Sequence, residues 1–296
     1  MFGKTADMEI NTRFPVRLDA ITDAPEPFRS ALKKRLGPDE HTRLLVHAPS
    51  FSTGKEKFPA TLLAVTDKGW LVASDCEQNG TSVSASIFSE TLFLELTSIL
   101  LFGQFKSYFA RFGTSFCAAA NFNTVGEQYY REAIQLILNG IDGVDNIETE
   151  KNREATELFD DWPFRFRMEA ERYWPRGQRL LAAVQWPAVV GGFRRELSAA
   201  GALLVTEREL VVISEEKHSP RRLSGDYHEF GGIITYLPFM RLADFKIRTQ
   251  EYFSVLALEV HAAHGGESLE ILFPSGFESH VAKAMESILI FAALCH

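Results

Sequence analysis

Short runs of apolar and β-branched residues, separated by polar turns, make up most of the chain. Residues 61–66 and 70–75 form one pair of runs, and residues 202–206 and 210–215 form another, each pair joined by three residues. Linkers this short predict tight β-hairpins. Further strand-like runs follow at residues 91–96, 99–103, 105–111 and 115–122, and at 233–239, 242–249, 252–261 and 268–273. The pattern predicts a mainly β (α+β) protein with antiparallel sheets.

The two hairpins are copies of one another. Residues 65–75 (VTDKGWLVASD) return as residues 205–215 (VTERELVVISE), 140 positions later (205 − 65). Several positions are identical, and the charged residues of the turn keep their sign. The upstream sequences also agree, because Pro-Phe-Arg opens a basic, helix-compatible stretch at both Pro27 and Pro163. We therefore expect one fold that is used twice.

Each half closes with a segment that has the periodicity of an amphipathic helix. A Thr or Ser three residues before a Glu precedes each segment, as Thr124 with Glu127 and as Ser275 with Glu278. This spacing predicts a capping box at both helix starts. The apolar stripes comprise Tyr130, Ala133, Ile134, Ile137 and Leu138 in the first half, and Phe277, Val281, Ala284, Ile288, Phe291 and Cys295 in the second.

These patterns divide the chain into an N-terminal arm (1–26), a first domain (27–141), an acidic linker (142–162) and a second domain (163–296). The formal net charge is −8. Residues 142–161 contain eight acids and two bases, a net of −6, so the remainder carries only −2. The overall charge argues against nucleic acid as a partner, but the acidity belongs to the linker and says little about either repeat.

Composition narrows the class of protein further. No stretch reaches the roughly 18 uninterrupted apolar residues that a membrane span needs, so we expect no transmembrane segment. The N-terminal sequence lacks the apolar core of a secretory signal. The chain has 3 Cys and no CxxC pair, which argues against a disulfide framework or a thiolate zinc site. These features predict a cytoplasmic protein.

The order of strands followed by one capped helix resembles that of the bacterial pleckstrin-homology-like (PH-like) domains. The resemblance rests on residues 93–99 (FLELTSI), 101–105 (LFGQF), 122–125 (FNTV) and 130–134 (YREAI) in the first half, and on residues 201–210 (GALLVTEREL) and 234–239 (ITYLPF) in the second. It covers residues 27–141 and 163–296, although Phe273-Pro-Ser departs from the Phe-Asn-Thr of the first half. The resemblance implies tandem barrels, each a bent antiparallel sheet closed by its C-terminal helix. It also implies binding rather than catalysis, which is an analogy of fold.

No candidate chemistry in the sequence favours an enzyme. The chain contains no G-x-S-x-G, H-E-x-x-H, Walker or G-x-G-x-x-G motif. His261 and His264 lie at a strand end with no third ligand nearby in sequence, so we expect no metal and no cofactor. We expect Cys117 to be a buried structural thiol.

Two hypotheses for function remain. The first is a non-enzymatic scaffold that binds a protein partner or itself through an aromatic-rich hairpin, whose candidate surface comprises Phe102, Phe105, Tyr108, Phe109 and Phe112. The second is a binder of an anionic small molecule or lipid head group. By analogy with the family, its candidate residues are Arg194, Arg195, Arg221 and Arg222 on the loop rim of the second domain.

Overall fold

The structure is a computed structural model that describes residues 13–37, 39–53, 56–76, 80–144, 157–190, 196–215 and 231–294. It is mainly β with antiparallel sheets, as predicted. The first half comprises β1 (Val16–Arg17), α1 (Phe28–Arg35), β2 (Thr42–Ala48), β3 (Phe51–Thr53), β4 (Glu56–Phe58), β5 (Thr61–Thr66), β6 (Gly69–Cys76), β7 (Gly80–Ile87), β8 (Thr91–Ile99), β9 (Phe102–Arg111), β10 (Thr114–Asn123) and α2 (Glu127–Asp142). The second comprises α3 (Phe164–Tyr173), β11 (Leu180–Trp186), β12 (Val189–Val190), β13 (Glu196–Ser198), β14 (Gly201–Thr206), β15 (Glu209–Glu215), β16 (Gly231–Pro238), β17 (Leu242–Thr249), β18 (Phe253–Ala262), β19 (Gly265–Pro274) and α4 (Glu278–Leu294).

From α1 and α3 onward, the two halves repeat one order of elements, as the sequence predicts. The hairpin β5–β6 corresponds to β14–β15 at a distance of 140 positions (201 − 61). From β7 and β16 onward the distance is 151, both for β8 with β17 (242 − 91) and for α2 with α4 (278 − 127). The second half has therefore gained eleven residues (151 − 140) between β15 and β16, in a segment outside the described residues.

One hydrogen-bond arrangement recurs at the repeated hairpin. The Thr66 hydroxyl donates to Glu40 Oε1 at 2.6 Å, and the Thr206 hydroxyl donates to Gln178 Oε1 at 2.6 Å. Each hydroxyl also accepts from the backbone N–H three residues later, at 3.1 and 3.0 Å. The threonine holds the hairpin turn to the segment that precedes β2 in the first half and β11 in the second, which explains its presence in both copies.

The strands form sheets that the two halves share, and the predicted separate barrels are not observed. The largest sheet has the order β10-β9-β8-β16-β15-β14-β11 and combines strands of both halves. A five-stranded sheet (β1-β2-β5-β6-β7) belongs to the first half, and a three-stranded sheet (β17-β18-β19) belongs to the second. No sheet within the described ranges closes on itself, because β8 takes β16 of the other half as its neighbour.

The sheets are layered around two main apolar cores. One core lies between the five- and seven-stranded sheets and includes Val65, Leu204 and the apolar face of α2. The other lies between the seven- and three-stranded sheets and includes Leu203, Val205 and the buried face of α4. All six residues of β14 are therefore buried, because both faces of this strand are covered. A smaller core beneath α1 covers the outer face of the five-stranded sheet.

Strand β7 is the main element that the sequence pattern missed. Residues 76–85 look like a polar loop, yet residues 80–87 (GTSVSASI) pair with β6 along their whole length. Val83 and Ile87 are the only larger apolar residues of the strand. It lies at a sheet edge, where Val83 and Ala85 are only partly buried against the core beneath α1. The two predicted runs at 91–96 and 99–103 are in fact the single strand β8, a turn at Leu100 and the start of β9.

Both terminal helices are present as predicted, but they begin at Glu127 and Glu278, and no reciprocal Thr/Ser–Glu capping box forms. Thr124 Oγ1 donates to the Leu100 carbonyl at 2.6 Å, and Ser275 Oγ donates to the Gln250 carbonyl at 3.1 Å. The hydroxyls thus tie each helix start to the turn before the last hairpin, rather than capping the helix amides.

Candidate functional site

The five predicted aromatic residues do not form one surface, because alternate side chains of β9 face opposite sides of the sheet. Phe105 and Phe109 are core residues, and Phe109 meets Trp70 edge-on with ring centroids 5.3 Å apart. Tyr108 stacks on Phe93 at 4.2 Å, on the other side of the sheet. Phe102 is half-buried, and its ring lies 4.9 Å from that of a phenylalanine in β4.

Phe112 is the exposed member of this group. Its side chain is 92% exposed at the turn between β9 and β10, and its backbone has a φ of 54°. Leu100, at the turn between β8 and β9, has a φ of 51° and is 54% exposed. Left-handed backbone at a non-glycine residue is uncommon and costs energy. An exposed apolar side chain at such a turn gains little burial to offset that cost.

The predicted arginine rim falls outside the described residues. Arg194, Arg195, Arg221 and Arg222 all lie in the ranges 191–195 and 216–230. The anionic ligand at this rim therefore stays a prediction.

Cys117 is exposed, so the prediction of a buried thiol was wrong. It lies on β10 at the edge of the seven-stranded sheet, where Ala118, Ala120 and Phe122 point into the core. Cys117 alternates with them and faces the other side. Among the described residues, no group of three or more His, Cys, Asp and Glu side chains is arranged to hold a metal ion.

A cavity of about 310 Å³ lies where the two halves meet. One wall is formed by α2 of the first half, and the other by residues 172–176 of the second, with Tyr236 of β16 also in the lining. Three arginines contribute to the lining: Arg131 from α2, and Arg172 and Arg176 from the opposite wall. Sequence reasoning missed this site because its walls come from segments about forty residues apart that belong to different repeats.

A buried carboxylate organises two of these arginines. Glu127 is only 2% exposed, and its Oε1 lies 3.3 Å from Arg131 Nε and 2.8 Å from Arg172 Nη2. Its other oxygen accepts from Ser98 Oγ at 2.7 Å. Arg131 Nη1 also donates to the Arg172 carbonyl at 3.2 Å. One carboxylate thus forms ion pairs with two guanidiniums and keeps both cations close to the junction.

A second buried carboxyl group lies on β15. Glu209 is fully buried, and burial together with the nearby charge of Asp142 raises its pKa to about 8. Burial likewise raises the pKa of Asp142, whose carboxylate lies 3.4 Å from Arg208. Strongly perturbed carboxyl groups often mark functional sites. Glu209, however, is enclosed by Thr206 and Gln178 of the recurrent hairpin arrangement, which favours a structural role.

Comparison with known proteins gives no identification: no family model, curated protein or solved structure matches this chain. None of the helices in the described ranges is both long enough and apolar enough to cross a membrane.

Proposed function

We propose that the chain is a non-enzymatic cytoplasmic scaffold, built from two tandem PH-like units, that acts by associating with further copies of itself. The repeated order of nine strands (β2–β10 and β11–β19) and a terminal helix supports the PH-like assignment. The way in which one unit docks on the other supports self-association.

The pairing of β8 with β16 is the observation that carries the proposal. Leu96 lies opposite Ile234 and Leu94 opposite Tyr236 in this joint. All four side chains are at most 3% exposed. The joint therefore combines backbone hydrogen bonds between strand edges with apolar contacts that are buried in the core between the five- and seven-stranded sheets, as in recognition by strand addition.

The two equivalent edges lie at the ends of their sheets. β7 corresponds to β16 (231 − 80 = 151), and β17 corresponds to β8 (242 − 91 = 151). Within the described ranges, no strand pairs with the outer edge of β7 or of β17. If two chains repeat the internal joint, Val83 of one lies opposite Ile247 of the other. Each chain offers one edge of each kind, so association runs head to tail.

The chemistry of the two edges is compatible with this pairing. The Phe88 N–H donates to the Lys68 carbonyl. The backbone N–H and C=O groups of even-numbered residues in β7 therefore bond to β6, and those of odd-numbered residues point away from the sheet. The Ala85 carbonyl already accepts from Arg111 at 3.2 Å, which centres the open part of the edge on Val83. No residue of β7 is charged, so the cations of β17 meet no like charge across the joint.

Sedimentation velocity over a wide concentration range tests this proposal with Val83→Pro and the matched control Val83→Thr. Proline removes an outward N–H without breaking the ladder to β6, whereas threonine keeps both the N–H and the β-branched shape. We expect the wild type and V83T to increase in mass with concentration and V83P to remain smaller. V83P should also shorten wild-type assemblies when mixed with them, because a folded V83P chain still offers β17.

A wild type that stays monomeric at every concentration would overturn the proposal. So would a V83P chain that melts cooperatively and yet associates as the wild type does, because the contact would then lie elsewhere.

A further inference from the structure

The cavity between the two halves has the size of a small-molecule site. Its volume of about 310 Å³ is at the lower end of the roughly 300–1,000 Å³ that is usual for organic ligands. It lies at the junction of two structural units, which is a common location for such sites. The Tyr236 hydroxyl donates to the Tyr173 carbonyl at 3.2 Å and so fixes β16 to the wall formed by residues 172–176.

The charges around this cavity do not balance. Arg131 and Arg172 share the single carboxylate of Glu127. Glu132, which also lines the cavity, is matched by Arg17 at 2.8 Å. Arg176 has no ion pair with any carboxylate of the described residues. Three guanidiniums against one carboxylate leave two positive charges at the site, which favours an anion.

Apolar and aromatic side chains form much of the remaining lining, together with the amides of Gln128 and Gln135. Tyr129 and Leu136 contribute from α2, while Trp174 and Pro175 contribute from the opposite wall. Such surfaces accommodate a planar apolar group, and a guanidinium matches the geometry of a carboxylate or phosphate.

The arginine-bearing walls are held in position before any ligand arrives. The Arg176 N–H donates to Gln135 Oε1 at 3.0 Å, and Gln135 Nε2 donates to Asn139 Oδ1 at 3.1 Å. The bond from Arg176 to Gln135 and that from Arg131 to the Arg172 carbonyl join α2 to the opposite wall. A ligand then loses little free energy in ordering the site.

We propose that this cavity binds a small organic anion, with a carboxylate or phosphate on a short aromatic body. The anionic group contacts the guanidinium of Arg176 and those of the Glu127-linked pair, while the ring lies against Tyr129 and Trp174. The ligand bridges the two repeats, so its binding stabilises their junction. This site is independent of the strand edges and of the predicted arginine rim.

Isothermal titration calorimetry of the full chain tests the site with phenyl phosphate and benzoate. Inorganic phosphate, which lacks the ring, and benzyl alcohol, which lacks the charge, are the control ligands. Arg176→Gln removes the guanidinium that has no ion pair, and Arg35→Gln, on the exposed side of α1, is the matched control. We expect saturable binding of the two aromatic anions, weakened roughly tenfold by R176Q, the size of one charge-assisted hydrogen bond. R35Q should leave it unchanged.

Neither inorganic phosphate nor benzyl alcohol should bind with the affinity of the aromatic anions. Equal affinity for inorganic phosphate would overturn the aromatic part of the proposal, and equal affinity for benzyl alcohol would overturn the anionic part. Absence of saturable binding by any aromatic anion, or equal loss in R176Q and R35Q, would overturn the site itself. A thermal melt of each variant separates lost binding from lost folding.

Discussion

Replacement of Glu209 by Gln should remove a large pH dependence from the stability of this protein. Glu209 is fully buried at the start of β15, and the raised pKa of about 8 means that it is neutral in the folded chain at pH 7. In the unfolded chain its pKa returns to the ordinary value of 4.5. Unfolding then releases a proton at neutral pH, so stability falls as the pH rises.

The magnitude follows from the two pKa values. Their difference, 8 − 4.5, corresponds to about 5 kcal/mol at about 1.4 kcal/mol for each tenfold change in the equilibrium. This is an upper limit, because structural relaxation and water entry reduce the cost of a buried charge. The stabilising contribution is fully present below pH 4.5 and is lost as the pH rises through 8. Asp142 and Arg208 face this carboxyl group with opposite effects on its pKa, and the Asp142 effect is the larger.

Urea unfolding of the wild type and of E209Q at acidic, neutral and alkaline pH measures the effect. Gln mimics the neutral carboxyl group, so the two chains should be similar in stability at low pH. As the pH rises, the free energy of unfolding of the variant should increase relative to that of the wild type, by several kcal/mol at alkaline pH. Glu207→Gln is the matched control, because Glu207 is partly exposed and paired with Arg179 at 3.1 Å. Parallel pH profiles for the wild type and E209Q would refute the reasoning.

Two further predictions concern a turn and a helix. Phe112→Gly should stabilise the protein by up to about 1 kcal/mol, since glycine adopts the left-handed backbone without strain and the lost ring is exposed; a lower melting temperature would contradict this. Truncation at Pro274 removes α4, whose Val281, Ala284 and Met285 are buried in the second core. The shortened chain should be insoluble, and a soluble product with a cooperative melt would show that α4 is dispensable.

The sequence by itself determined the local elements and their repetition. Tight hairpins followed from the three-residue turns, and the two terminal helices followed from apolar periodicity. Each of these depends on neighbours within a few residues, so local pattern is sufficient to predict them. The internal repeat extended the inference, because two copies of one pattern predict the same order of elements.

Only the tertiary structure decided which strands share a sheet and where a site forms. Pairing of β8 with β16 joins residues more than 130 positions apart (231 − 99), and no local pattern distinguishes that edge from the edge of β7. The cavity likewise depends on the packing of α2 against residues 172–176, so Arg131 and Arg176 look like ordinary surface residues in the sequence. Phe105 and Phe109 were predicted as part of an exposed surface for the same reason. The sequence does not show that both faces of their strand are covered by other sheets.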